Sequence, residues 1–407
     1  MPNAAFNPPA LAIEGGAPLR STPMPTRIAL GPDEERMIGE CLAWYRERRE
    51  DPGYQGRFEA LYCHDFVQAM GGGYADAVAT GTVAVFVALA ALGLPKGSQV
   101  ICSPITDPGT LTAIVLNGLV PRLADARPGS YGIGVEEFRA RITPAVKAVV
   151  VVHALGQASD IEAIVAEARH HDIRVVEDCS QAHGAVRNGQ PVGSFGDIAA
   201  FSTMYRKAHI TGASGGIVYS RDLNLFRMAL AHADRGKPSW VDGFDDRDPN
   251  QFLFPALNLH TDELSCAIGI ASFKRLPQTI ARRRAFVTAV SAGIEAECQL
   301  CRPYGYTTGD SPFVYPVMVD VARLNVSKTE FARAVLAEGI GLNPHYQYLV
   351  ADWAFLKPYF TDTFDTPNAR ACRDSSFCLY LNENYGEQEA ADCVAAIKKV
   401  EYWYHRA

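Results

Sequence analysis

What this chain has little of narrows the reading first. Positive charge is in the minority: 38 Lys and Arg stand against 45 Asp and Glu, a formal net charge of -7 over 407 residues. That acidic balance argues against general nucleic-acid binding and means mostly a solvated surface. Long apolar runs are missing. The longest helix-like one, Val83 to Leu94, falls far short of the roughly 20 residues that span a bilayer. The opening from Met1 to Pro25 is rich in proline and alanine and lacks the charged-then-apolar order of an export signal. Paired cysteine motifs are also lacking. Ten cysteines are scattered, many in apolar or helical surroundings such as Cys102, Cys266 and Cys393. The one CxxC, Cys298 to Cys301, has no second pair at zinc spacing. Two ordinary thiols in a reducing cytoplasm is the better account. Gly71-Gly72-Gly73 lacks the GxGxxG spacing and the downstream acid of a dinucleotide-binding turn. Internal repeats, coiled coils and low-complexity tracts are absent as well.

What is present suits a soluble enzyme of two units. The length exceeds one ordinary domain, and 48% hydrophobic with 20% charged residues is an ordinary globular composition. Asp33 to Arg48 reads as a helix with an acidic start, and Tyr54 to Glu59 as a turn into another. From Asp76 to about Ser220 the pattern alternates. Strands are expected at Asp76–Ala79, Gln99–Ser103, Val120–Ala124, Ala145–His153, Ile173–Glu177, Ile198–Ser202 and Gly216–Tyr219. Helices are expected at Gly81–Leu92, Thr110–Asn117 and Asp160–His170. Continuous apolar strands separated by helices predict an α/β fold with a mostly parallel sheet covered on both faces. After about Pro277 strands become few and helices longer, at Thr279–Ala296, Lys328–Glu338 and Glu387–Tyr404. The expected division is 1–276 for an N-terminal arm and a large domain, and 277–407 for a smaller α+β domain. Arg282-Arg283-Arg284 reads as a solvated helix face.

The chemistry is concentrated between Val176 and Gly216. Val176-Glu177-Asp178 ends a buried strand, where open α/β sheets place ligands. A buried carboxylate there needs a cationic partner. Some thirty residues on come Phe201-Ser202 and Lys207, followed by Thr211-Gly212 and Gly215-Gly216. Asp178 can pair with a protonated ring nitrogen, Ser202 can bind a phosphate, and Lys207 can form a Schiff base. Those needs belong to pyridoxal phosphate. Ala79-Thr80-Gly81-Thr82, between a strand and a helix, supplies free N–H groups for the phosphate. The bland readings are a capping aspartate, a surface lysine and an ordinary helix cap. It is the combination that outweighs them. Arg206 beside Lys207 is expected to lower its pKa. Asp178, Cys179 and His183 have a spacing that invites a metal, but no third ligand is evident, so no metal site is expected.

These residues resemble the DegT/StrS family of pyridoxal-phosphate aminotransferases of nucleotide sugars and aminocyclitols, which have the aspartate-aminotransferase fold, fold type I. The resemblance runs over nearly the whole chain. It rests on Gly15-Gly16, Gly81-Thr82, Gly156-Gln157, Glu177 to Gly184, Phe201-Ser202 with Lys207, and Asn258 with Glu263 to Gly269. It implies Lys207 as the Schiff-base lysine and Asp178 as partner of the pyridinium. It implies Gln181 on the ring hydroxyl, and Ser202 with the Gly81 and Thr82 amides on the phosphate. Asn258 then reaches the neighbouring subunit's phosphate, which implies a homodimer with shared active sites. His345 and Tyr346 lie in a stretch that faces substrate in relatives, and His183 and His209 complete the expected substrate set. There are departures. Asp107 stands at the cofactor position where relatives stack an aromatic residue, and an aspartate cannot stack. His260 stands where relatives often have arginine. Asn382-Glu383-Asn384-Tyr385 replaces a more usual apolar, proline-containing stretch.

The leading expectation is an aminotransferase that moves nitrogen from L-glutamate or L-glutamine to a keto-sugar, nucleotide-linked or not, or to a keto-cyclitol. A sugar dehydratase of the same fold is the first alternative, but enzymes of that type lack the Schiff-base lysine. A catalytically silent sensor is the second, and the intact set of Asp178, Gln181, Ser202 and Lys207 speaks against it.

Overall fold

The computed structural model describes residues 8–406; the first seven residues of the expected arm and Ala407 lie outside the described residues. The first part of the chain contains helices α1 (Pro32–Arg48), α2 (Arg57–Ala69), α3 (Gly81–Ala91), α4 (Pro108–Leu116), α5 (Val135–Arg139), α6 (Ile161–His170) and α7 (Leu223–Ala233). Its strands are β1 (Tyr74–Val78), β2 (Gln99–Cys102), β3 (Val120–Leu123), β4 (Val146–Val152), β5 (Arg174–Asp178), a small ribbon of β6 (Val186–Arg187) and β7 (Gln190–Pro191), β8 (Ile198–Ser202) and β9 (Gly216–Ser220). The second part has α8 (Glu263–Glu297), α9 (Lys328–Ala337), α10 (Pro367–Asp374) and α11 (Glu387–Tyr404), with β10 (Cys301–Pro303), β11 (Tyr315–Val319), β12 (Leu342–Asn343) and β13 (Ser376–Leu379).

Seven strands form the main sheet in the order β1-β9-β8-β5-β4-β2-β3. From β8 to β3 all neighbours are parallel, and β9 is antiparallel to both β8 and β1. The sequence dictates this arrangement. In β4 every residue but Lys147 is buried, as expected of a strand covered on both faces. In α3 the run Gly81–Ala91 is apolar on nearly every side, so the helix sits against the sheet between α4 and α7. The mostly parallel sheet expected from the sequence is therefore present, with element bounds shifted by a residue or two. One consequence matters for function. The carboxyl ends of β1, β2, β5 and β8 all open on the same edge, because all four run in the same direction.

Two boundaries differ from expectation. Helix α8 is a single 35-residue element that runs through Pro277, so the division expected at 276/277 falls inside it. Its first half packs on α1 and α2, and its later part meets α11 and β10. The helix survives Pro277 because the lost backbone bond is only one among many that neighbouring contacts support. The small domain's own four-stranded antiparallel sheet, β10-β11-β13-β12, begins only at Cys301. The arm also belongs elsewhere. Leu11 is fully buried, and the Ala12 and Leu19 amides both donate to Glu338, just after α9. Lys399 of α11 donates to the same carboxylate at 2.8 Å. The described arm thus docks on the small domain, although the sequence grouped it with the large one.

Candidate active site

A cleft of about 220 Å³ opens where the four strand ends converge, and it holds seven of the expected residues: Gly81, Thr82, Asp107, Asp178, Gln181, Ser202 and Lys207. Asp178 is the last residue of β5 and is only 4% exposed. Its Oδ2 accepts from Thr110 Oγ1 at 2.8 Å and its Oδ1 from the Ser180 amide at 3.1 Å. Among the described residues no arginine, lysine or histidine forms an ion pair with it. A buried carboxylate held by neutral donors alone leaves room for one cationic partner in the cleft.

Lys207 follows β8 in a tight loop, its amide donating to Met204 O at 2.8 Å. Its side chain is buried, with Nζ 4.6 Å from the centre of the Phe313 ring and no hydrogen-bond partner for Nζ among the described residues. Burial pushes its pKa below the usual lysine value, against the opposing pull of Asp178 and Asp107. Burial rather than Arg206 is thus the cause. Arg206 is exposed and leans over the Tyr205 ring, 5.2 Å from its centre. A desolvated amine spends more time neutral and is a better nucleophile.

The anion end of the cleft is built around α3. Thr80 caps the helix, its Oγ1 accepting from the Val83 amide at 3.0 Å, while the Gly81 and Thr82 residues line the cleft beside Ser202. Glycine is required at 81, since a Cβ there would sit 2.4 Å from Ser202 Cβ and 2.7 Å from its Oγ. Helix N-terminal amides, the helix dipole and a hydroxyl at such close quarters suit a phosphate.

Gln181 lines the third side. Its Oε1 accepts from the Leu155 amide at 2.6 Å. Leu155 has a positive φ of 61°, a conformation strained for leucine. The bond from Gln181 supports that backbone, and so does a pairing of Leu155 O and Gly156 O with the Phe313 and Ser311 amides. Tyr346 is buried near Gln181 and is not among the residues that line the cleft. His345 turns away to Lys328, whose Nζ donates to His345 Nδ1 at 3.2 Å. Asp107 caps α4, its Oδ1 accepting from the Gly109 amide at 2.9 Å, so it borders the cleft with no ring to stack.

Two other expected substrate residues lie outside the cleft. His183 is buried behind β8, its Nε2 donating to Ser202 O at 2.7 Å, and burial holds its pKa down at about 4. It faces an apolar cavity lined by Phe66, Phe201, Phe273, Leu276 and Ile280. His209 is fully buried, bonded to the Tyr62 hydroxyl and 3.3 Å from Ser272 Oγ. Both brace the loop from the rear, through the Ser202 carbonyl and the Tyr62 and Ser272 hydroxyls. Asn258 is exposed, its backbone bridged to Asp234, and it is not among the residues that line this chain's own cleft. Thr110 and Ser214, by contrast, line the cleft without having been singled out in the sequence. Thr110 lies 68 residues from Asp178, and only the adjacency of strand ends brings them together.

A geometric metal candidate exists at His153, Glu177 and Cys179, different from the set weighed in the sequence. The His153 and Glu177 ligand atoms are already engaged. His153 Nε2 lies 3.1 Å from Glu177 Oε2, and its Nδ1 accepts from the Ser159 amide. Glu177 also accepts from the Gly193, Phe195 and Gly196 amides at 2.7 to 2.8 Å. The cluster is a satisfied buried brace beneath the site.

This geometry has close parallels. MosB of Rhizobium meliloti is 43% identical over 170 residues, which cover 42% of this chain and 33% of that protein. That match therefore spans only a third of the relative. A putative L-glutamine:3-amino-2,3-dideoxy-scyllo-inosose aminotransferase of Streptomyces kanamyceticus is 31% identical over 96% of both chains. The solved aminotransferase from Psychrobacter cryohalolentis superposes with a TM-score of 0.85 at 25% identity, covering 94% of this chain and 99% of that one. The overall architecture is thus the aspartate-aminotransferase-like arrangement expected from the sequence, fold type I. The pattern of the DegT/DnrJ/EryC1/StrS aminotransferase family matches residues 48–398, taking in the whole cleft, and this chain belongs to that family.

Proposed function

We propose that the chain is a pyridoxal-phosphate-dependent aminotransferase that delivers an amino group to a keto-sugar or keto-cyclitol, with Lys207 and Asp178 as its catalytic residues. The observation that carries this reading is the pairing, in one cleft, of a buried amine with no hydrogen bond and a buried carboxylate with no ion pair among the described residues. When bound there, the cofactor supplies an aldehyde for the amine and an electron sink for the carbanion at the substrate carbon. The residues present fit it. Asp178 holds the proton on the ring nitrogen. The Gly81 and Thr82 amides and Ser202 Oγ take the phosphate. Gln181 borders the ring hydroxyl. Lys207 Nζ would take up and return the proton of the substrate carbon, a task suited to an amine whose pKa is lowered.

The relative matched end to end is named for a glutamine donor and a cyclitol acceptor, which supports L-glutamine or L-glutamate as donor here. Tyr346, buried near Gln181, is the small-domain residue we assign to the acceptor side. Asn258 serves a second copy of this chain: it is exposed near Leu253 and Leu257, themselves 50% and 61% exposed, a surface suited to a homodimer with shared sites. A cytoplasmic setting agrees with ten free thiols. A dehydratase of this fold has no use for Lys207, so the buried amine favours transfer.

The test is direct. Protein loaded with pyridoxal phosphate and treated with borohydride should carry the cofactor on the peptide containing Lys207. Adding L-glutamine or L-glutamate should discharge the visible absorbance, and a keto-cyclitol or keto-sugar should restore it. Protein that stays colourless, with no modified Lys207 peptide, would defeat the reading.

A further inference from the structure

The Asn382–Tyr385 departure and the Arg282–Arg284 run meet at one place, behind the Lys207 loop. The Asn382 and Asn384 amides donate to Pro25 O and Thr26 O at 3.0 and 2.9 Å, pinning the end of the arm. Glu383, between them, accepts from Arg27 Nε at 2.8 Å with Oε1 and from Arg283 Nη2 at 3.0 Å with Oε2. Arg283 is 2% exposed, so the middle arginine of the run is a buried ion-pair member and not part of a solvated face. Arg27 then uses its remaining nitrogens on the lysine loop. Nη1 donates to Tyr205 O at 2.9 Å and Nη2 to Ala208 O at 3.4 Å. These two carbonyls stand on either side of Arg206 and Lys207.

We propose that Arg27, anchored by Glu383 and Arg283, is a positioning residue that fixes the Lys207 peptide and ties it to the small domain. The planar guanidinium presents its donors in a rigid fork. One arm is held by Glu383, so the other two hold a pair of carbonyls at a set separation. A flexible ammonium cannot do both. Glu383 stays ionised for this purpose: burial pushes its pKa up, but Arg283 and Arg27 outweigh that and keep it below the ordinary value. A nucleophile that must meet one cofactor atom depends on such outer support to within about half an ångström. The arm, the small domain and the lysine loop therefore form one mechanical unit, although their members lie 178 and 356 residues apart. This inference rests on Lys207 carrying the cofactor.

The experiment compares Arg27→Ala, Arg27→Lys and the wild-type holoenzyme. In Arg27→Ala, hydrogen exchange of the peptide containing Arg206 to Ala208 should quicken by about tenfold, the scale of losing a charge-assisted bond. The pH midpoint of the bound cofactor's visible absorbance should shift. kcat should fall by about tenfold while KM for the acceptor stays within about twofold, the pattern of a misplaced amine with intact binding. Arg27→Lys should lie between the two, since it keeps the charge but not the fork. Unchanged loop exchange and an unchanged absorbance midpoint in Arg27→Ala would overturn the proposal. If Arg27→Ala does not fold, Glu383→Gln, which weakens the anchor at constant shape, is read by the same two measurements. Borohydride mapping of the wild type separates the two claims. A cofactor found elsewhere than Lys207 defeats the functional reading, whereas loop exchange still decides whether Arg27 holds the loop.

Discussion

The two walls of the cleft are built in opposite ways. The large-domain wall is made of strand ends. Asp178, Ser202 and the Thr80–Thr82 turn are placed by backbone ladders that would stand without the small domain. The closing wall consists of side-chain bonds between distant segments: Arg27 with Glu383, and Asn382 with Pro25. The first kind of wall supplies reacting groups at little risk to stability, because removing a side chain from a strand end leaves the ladder intact. The second couples position to folding, because its charges are buried and each depends on its partner.

That contrast can be broken by experiment. The largest effect belongs to the large-domain wall. Lys207→Ala should lower amine transfer by about a thousandfold or more, the reach of a positioned acid–base and nucleophilic group. Its melting temperature in the absence of cofactor should not drop, and it should rise slightly, since a buried cation is removed. Steady-state kinetics and thermal melts of the apoprotein read both. A variant that is destabilised yet still turns over would reverse the comparison.

The closing wall should show the opposite balance. Glu383→Ala strands the buried Arg283 guanidinium, and breaking a buried pair from one side costs about 3–5 kcal/mol. A lower urea midpoint should therefore accompany any loss of rate. The double variant Glu383→Ala with Arg283→Met should recover much of the stability but none of the loop anchoring. Equal stability of the single and double variants would show that the pair is not coupled.

How far the sequence could be read follows the same division. Strands β5 and β8 were legible because a short, largely apolar run that ends in Asp178 or Ser202 suits a strand covered on both faces and little else, and β4 because its valine run does the same. The seven cleft residues came with them, since each sits within a short motif at a strand end. What the sequence hid was mostly long-range. Thr110 reaches Asp178 only through strand adjacency. Strands β10 and β12 have only three and two residues, too short for a period to register. His183 and His209 sat in the right motif but on the wrong face of their loop, because burial behind a strand leaves no trace in spacing. The solvated reading of Arg283 failed for the same reason. Its partner at Glu383 lies 100 residues away.

A smaller effect sharpens the contrast from a third location. Below the sheet edge, Glu59 of α2 is 4% exposed, and its Oε2 accepts from the Gln55 amide at 2.7 Å. Burial, with further repulsion from Glu263, pushes its pKa up to about 7, and it shares a hydrogen bond with the equally buried Asp76 of β1. The folded protein thus retains a proton that the unfolded chain releases above the ordinary carboxyl value near 4.5. Stability from this group is complete below that value and is lost as pH rises through about 7. Glu59→Gln cannot ionise, keeps an oxygen for Gln55 and gains an amide to donate to Asp76. It should match the wild type at pH 4.5 and pull ahead between there and neutrality, by an amount on the order of 1–3 kcal/mol. Its amine-transfer rate should not change, because neither wall of the cleft touches Glu59. Urea unfolding at pH 5 and pH 8 measures the gap, and a gap of equal size at both would mean that the proton is not held there.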